Sequence, residues 1–92
     1  MKNLLPLGSV VLMEGATKSI LIIGTTQQDE DGNEYDYIGC PFPEGYIDSE
    51  TFFLFMHEDI ADVKFIGYVN SESQAYSQYI KVLQEEKHNE GE

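Results

Sequence analysis

Four consecutive residues, Ile20-Leu21-Ile22-Ile23, constrain this fold more than any other part of the sequence. Three of the four are β-branched, which favours a strand over a helix. No polar residue interrupts them, so a strand centred here is expected to be covered on both faces. It reads as a strand over residues 18–26. A chain of 92 residues has room for one domain. Four other short strands must therefore be arranged around this one.

Those strands are marked by apolar runs between turn residues. The first covers residues 9–13, after Pro6 and Gly8. Asp29-Glu30-Asp31-Gly32-Asn33 is a hairpin signal, because Asp-Gly and Gly-Asn tolerate the positive φ of tight turns. The third strand spans 34–40, with Tyr35, Tyr37 and Gly39 on one face. Pro41 and Pro43 then break the ladder. Thr51–Met56 and Val63–Val69 complete the set, separated by a short helical turn over 57–62.

A helix is expected from Ser71 to about 87. Ser71-Glu72-Ser73-Gln74 has the form of a capping box. Tyr76, Tyr79, Ile80 and Leu83 recur at helical spacing and predict an apolar stripe docked on the sheet. Residues 88–92 read as a frayed acidic tail. The fold class is α+β: a small five-stranded, mostly antiparallel barrel or sheet, SH3-like, with a C-terminal helix. Strands fill about 9–69 of a single domain, 1–92.

Charge limits the partners. Seventeen acids face five lysines, for a net charge of −12 at pH 7. Between Lys18 and Lys64 there is no basic residue, and eleven acids occupy that stretch. Such a surface repels phosphate backbones and anionic lipids, so neither nucleic acid nor membrane is an expected partner. It steers a basic protein inward. No apolar run approaches a membrane span. The N-terminus lacks the apolar core of a secretory signal, and Cys40 is the single cysteine. A lone thiol suits a reducing compartment, so a cytoplasmic location is expected.

Three groups invite a chemical reading. Asp29 to Glu34 resembles the opening of a calcium loop. The glycine and the bidentate glutamate that such a loop requires are replaced by Glu34 and Cys40. His57-Glu58-Asp59 offers one imidazole where zinc needs several convergent ligands, and it reads better as a capped turn. Cys40 lies among acids, which disfavour a thiolate. Hence no catalytic residue, metal or cofactor is expected. The aromatics are more informative. Tyr35, Tyr37, Phe42 and Tyr46, with Asp36 and Glu44 at their rim, have the composition of a protein interface for a basic partner. Tyr35 and Tyr37 also suit a core.

Several ordered motifs carry a resemblance. They are Leu7-Gly8-Ser9-Val10-Val11-Leu12, Ile20 to Gly24, Tyr35-Asp36-Tyr37-Ile38-Gly39-Cys40, Pro43-Glu44-Gly45, His57-Glu58-Asp59-Ile60 and Val63-Lys64-Phe65-Ile66-Gly67-Tyr68. Together, over about residues 4–69, they resemble a family of small uncharacterised proteins encoded beside LXG-type toxins of the Gram-positive type VII (ESX-like) secretion system. The resemblance implies a cytosolic, non-enzymatic accessory or chaperone-like role in toxin export. The alternative is an immunity protein that inhibits a basic toxin domain. An exposed edge at the third or fourth strand offers a route to a homodimer.

Overall fold

The structure, a computed structural model, describes residues 3–90, the side chains of 87–90 apart. Five strands form one antiparallel sheet: β1 (Val10–Met13), β2 (Ser19–Gln28), β3 (Glu34–Pro41), β4 (Phe53–Phe55) and β5 (Ile60–Phe65). Their order across the sheet is β4-β3-β2-β1-β5. The isoleucine-rich strand therefore lies at the centre, as its uninterrupted apolar run requires. A 3-10 turn, His57–Asp59, precedes β5, and helix α1 (Ser71–Glu90) ends the described chain.

The α+β class and the antiparallel sheet are as expected, but the barrel is not formed. The sheet is open, with β4 and β5 as its two edges. Closure would require those edges to pair along their length, and β4 is only three residues long. β3 is paired on both sides, to β2 and β4. It is therefore not an available edge for a second copy, whereas β4 and β5 are.

The β2–β3 hairpin turns at Gly32, whose φ of +87° is the conformation the Asp-Gly pair anticipates. Along it the register shifts by one residue between Ile22 and Gly24. This bulge lets Ile22 oppose Gly39 and Thr25 oppose Tyr37. The core forms where these positions meet: Val11, Ile20, Ile22, Tyr37 and Phe55, joined at the edge by Leu4, Leu5, Met13 and Ile60.

The boundaries of β5 and α1 differ most from the sequence reading, while β4 and the helical turn are shorter than expected and β2 is longer. β5 begins at Ile60 and ends at Phe65, earlier than the stretch 63–69. Beyond it the Gly67 N–H bonds the Ser9 hydroxyl in place of a ladder partner, and the Gly67 backbone packs so closely on the Leu7 carbonyl that a Cβ there would collide with it. The helix continues to Glu90, past the expected end. Residues 84–90 lack apolar side chains but are mostly Gln, Glu and Lys, which are strong helix formers. Of the expected tail, residues 91–92 lie outside the described residues.

Candidate functional site

Strand β3 carries three of the six members of the aromatic–acidic set, Tyr35, Asp36 and Tyr37, and its alternation decides which of them are accessible. Tyr37 points into the core and is fully buried. Its ring packs on Phe55 at 5.3 Å and on His57 at 5.9 Å between centroids. Its hydroxyl accepts the Leu5 N–H at 3.0 Å and lies 2.6 Å from His57 Nδ1. Asp36, also buried, accepts the His57 backbone N–H at 2.8 Å. Tyr37 and Asp36 are thus structural residues, and the reading of both as interface residues is corrected. The physical reason is β4, which places Phe55 opposite Tyr37 and brings the 3-10 turn over Asp36.

The remaining members separate. Tyr35 is half-buried opposite Gln27. Phe42 and Tyr46 are exposed in the connection between β3 and β4, where Tyr46 leans on Phe52 at 5.6 Å. Glu44 is exposed and bonded to Lys18 at 2.7 Å. That bond holds its carboxyl below the ordinary range.

The calcium-like loop spends its first carboxylate on itself. Asp29 accepts the backbone N–H groups of Asp31 and Asn33 and the Asn33 side-chain amide, at 2.9–3.1 Å. The Asn33 side chain, ahead of the backbone bonds, pulls its pKa down. The His57 turn is likewise closed by an acid: the Asp59 carboxylate accepts the Met56 N–H at 3.0 Å. Among the described residues no three His, Cys, Asp or Glu side chains converge as a metal set. Nor is any helix among them long and apolar enough to cross a membrane.

A second region was not legible as a site in the sequence. The N-terminal segment is held to β2 by the Gly8 N–H on the Ile22 carbonyl and the Ile22 N–H on the Ser9 carbonyl, both at 2.9 Å, and by two side-chain anchors. The Leu5–Tyr37 bond holds one point. Ser9, fully buried, holds the other: its hydroxyl donates to the Pro6 carbonyl at 2.7 Å and accepts the Gly67 N–H at 3.0 Å. A groove of about 910 Å³ opens between this segment, the β2 bulge and helix α1. Leu4, Leu5, Pro6, Tyr76 and Ile80 supply much of its apolar lining. Between Thr25 and Gln27, which line it, Thr26 adopts a left-handed φ of 57°, a strained conformation for a β-branched residue.

Helix α1 begins one residue earlier in register than the capping box suggests. Asn70 is the cap: its Oδ1 accepts the Ser73 N–H, and Ser73 Oγ accepts the Asn70 N–H, both at 2.8 Å. The helix does not dock its apolar stripe on the sheet. Tyr76, Tyr79 and Leu83 remain 54%, 58% and 40% exposed. Half-buried Ser73, Ile80 and Gln84 lie on the side of the helix that lines the groove. The stripe was readable from its spacing, but among the described residues only Ile80 of its four members is half-buried.

Comparison with curated proteins and with solved structures gives no significant match. A family described as a domain of unknown function, DUF4176, matches residues 4–76, which take in the whole sheet and the first turns of α1. That match covers well over half of the chain, and the chain belongs to the DUF4176 family.

Proposed function

We propose that this chain is a non-enzymatic, chaperone-like accessory protein that binds an LXG-type toxin of the type VII secretion pathway in the cytosol. The observation that carries the binding role is the exposed apolar surface. Among the described residues sixteen large hydrophobic side chains stand exposed, on a chain with a net charge of −12. Scattered apolar residues are ordinary on a protein surface, but aligned or contiguous ones mark contact with another molecule. Here they align on α1 and gather between β3 and β4. The charge favours a basic partner through long-range steering. The toxin itself comes from the motif resemblance.

The same charge favours a second reading, immunity against a basic toxin domain. Co-expression separates the two. The chain is produced with the N-terminal LXG region or with the C-terminal toxic domain of a neighbouring toxin, and each is tested for co-purification. The accessory role predicts capture of the LXG region. Capture of the toxic domain alone, with rescue of growth, would establish immunity instead. Capture of neither would refute both.

A further inference from the structure

The exposed face of α1 has a more specific pattern than an apolar stripe. Glu72, Tyr76, Tyr79, Leu83 and Glu86 follow one another at spacings of four, three, four and three residues. On a helix that spacing generates one continuous seam of the kind that packs against a second helix. All five are exposed. The seam is apolar in the middle and carries a carboxylate at each end. Ile80 and Val82 flank it; Ile80 lines the groove beside the N-terminal segment, as do the seam's own Glu72 and Tyr76 at its first end.

We infer that this seam docks an amphipathic helix of the partner protein, one with apolar seam positions and a Lys or Arg at both ends. This rests on the reading of the chain as a binding module for a basic protein. Charge complementarity chooses that occupant over a second copy of this chain. In a parallel pair of copies, Glu72 meets Glu72 and Glu86 meets Glu86. In an antiparallel pair centred on Tyr79, Glu72 of each copy meets Glu86 of the other. Both arrangements oppose like charges, and each copy adds a further net −12.

The dimensions define the partner further. Glu72 and Glu86 are fourteen residues apart, so the two ends of the seam lie about 21 Å from each other. That exceeds the Debye length of about 8 Å at physiological salt, so each carboxylate attracts its own cation independently. The partner helix should therefore carry basic residues about fourteen positions apart. Two half-exposed tyrosines and a leucine offer roughly 300 Å². A standard-size interface takes about 800 Å² from each partner, so the seam alone makes a contact smaller than that, and exposed Tyr68 and Val69 beside the start of α1 offer further apolar area.

The test uses the full chain and a blocked 21-residue helical peptide. The peptide has leucines at the seam positions and lysines at two seam positions fourteen residues apart. A control peptide has glutamates in place of those lysines. Binding is followed by fluorescence anisotropy. The lysine peptide should bind about tenfold more tightly than its control, and Glu72→Lys with Glu86→Lys should invert the preference. Tyr79→Glu with Leu83→Glu should weaken binding at least tenfold while far-UV circular dichroism keeps its helical signal. Equal affinity for the two peptides would overturn the inference, as would binding that survives the Tyr79 and Leu83 changes. A dimer in sedimentation that Tyr79→Glu dissolves would assign the seam to a second copy and equally overturn it. If the LXG region still co-purifies with the Tyr79 and Leu83 variant, the accessory role stands and the seam is wrong. If the peptide preference inverts but no toxin fragment is captured, the seam stands and the accessory role is wrong.

Discussion

At the scale of single residues, the fold depends on a few polar groups that bridge segments distant in sequence. The Tyr37 hydroxyl joins Leu5 to His57, and so ties the N-terminal segment to the 3-10 turn. Tyr37→Phe keeps the ring and removes both bonds, leaving the Leu5 N–H and His57 Nδ1 without this partner. Stability to urea should fall by about 1–3 kcal/mol, and the Leu5 amide should exchange faster. Asp29 makes a different prediction. Its bonds to Asn33 and Asp31 depress its pKa, so they stabilise the folded state above the ordinary aspartate value of 3.8. That contribution is lost as pH falls through the lower folded value. Asp29→Ala should therefore be less stable than the parent protein at pH 7, and the two should converge well below pH 3.8 in paired denaturation curves. Residue placement also changes which charges can be probed at an interface. Reversing Asp36 would break its bond to the His57 backbone and damage the fold, so it cannot report on steering. Glu44, exposed on Lys18, can.

Among elements, the strands were legible and the packing of the helix was not. The apolar β-branched run, the Asp-Gly turn and the paired prolines are local signals, and each lies where local chemistry acts. The burial of Tyr37 was ambiguous because it depends on β4 returning to place Phe55 opposite it. The failure to close a barrel depends on the length of β4, which a run of five apolar residues, Phe52 to Met56, overstates. The stripe on α1 shows how far periodicity reaches. Amphipathy states that a helix has a partner, but not that the partner belongs to the same chain. The helix is instead secured at its start by the reciprocal Asn70–Ser73 cap. Asn70→Ala should cost about 1 kcal/mol. It should appear as faster amide exchange in the first turn of α1 and a smaller helical signal, with the sheet unchanged. The interface candidates divide on the same principle. Exposed Phe42 and Tyr46 lie in a loop, whereas Tyr37 and Asp36 lie in a strand paired on both sides.

For the whole molecule, an open sheet with two edges, a helix with much of its apolar stripe outward and an excess of twelve negative charges are the features on which the proposed binding role rests. Acidity and apolar exposure act at different ranges. The first raises the rate of encounter and weakens with salt. The second holds the complex once it is formed. The match to DUF4176 ends at Tyr76, the first aromatic of the seam, so Tyr79, Leu83 and Glu86 lie beyond the matched stretch. The most direct measurement is co-purification of the LXG toxin region with the intact chain and with its Tyr79→Glu, Leu83→Glu variant, at low and at high salt. The account predicts a complex with the intact chain that forms more slowly as salt rises, and no complex with the variant. Failure of the intact chain to capture the LXG region would contradict it.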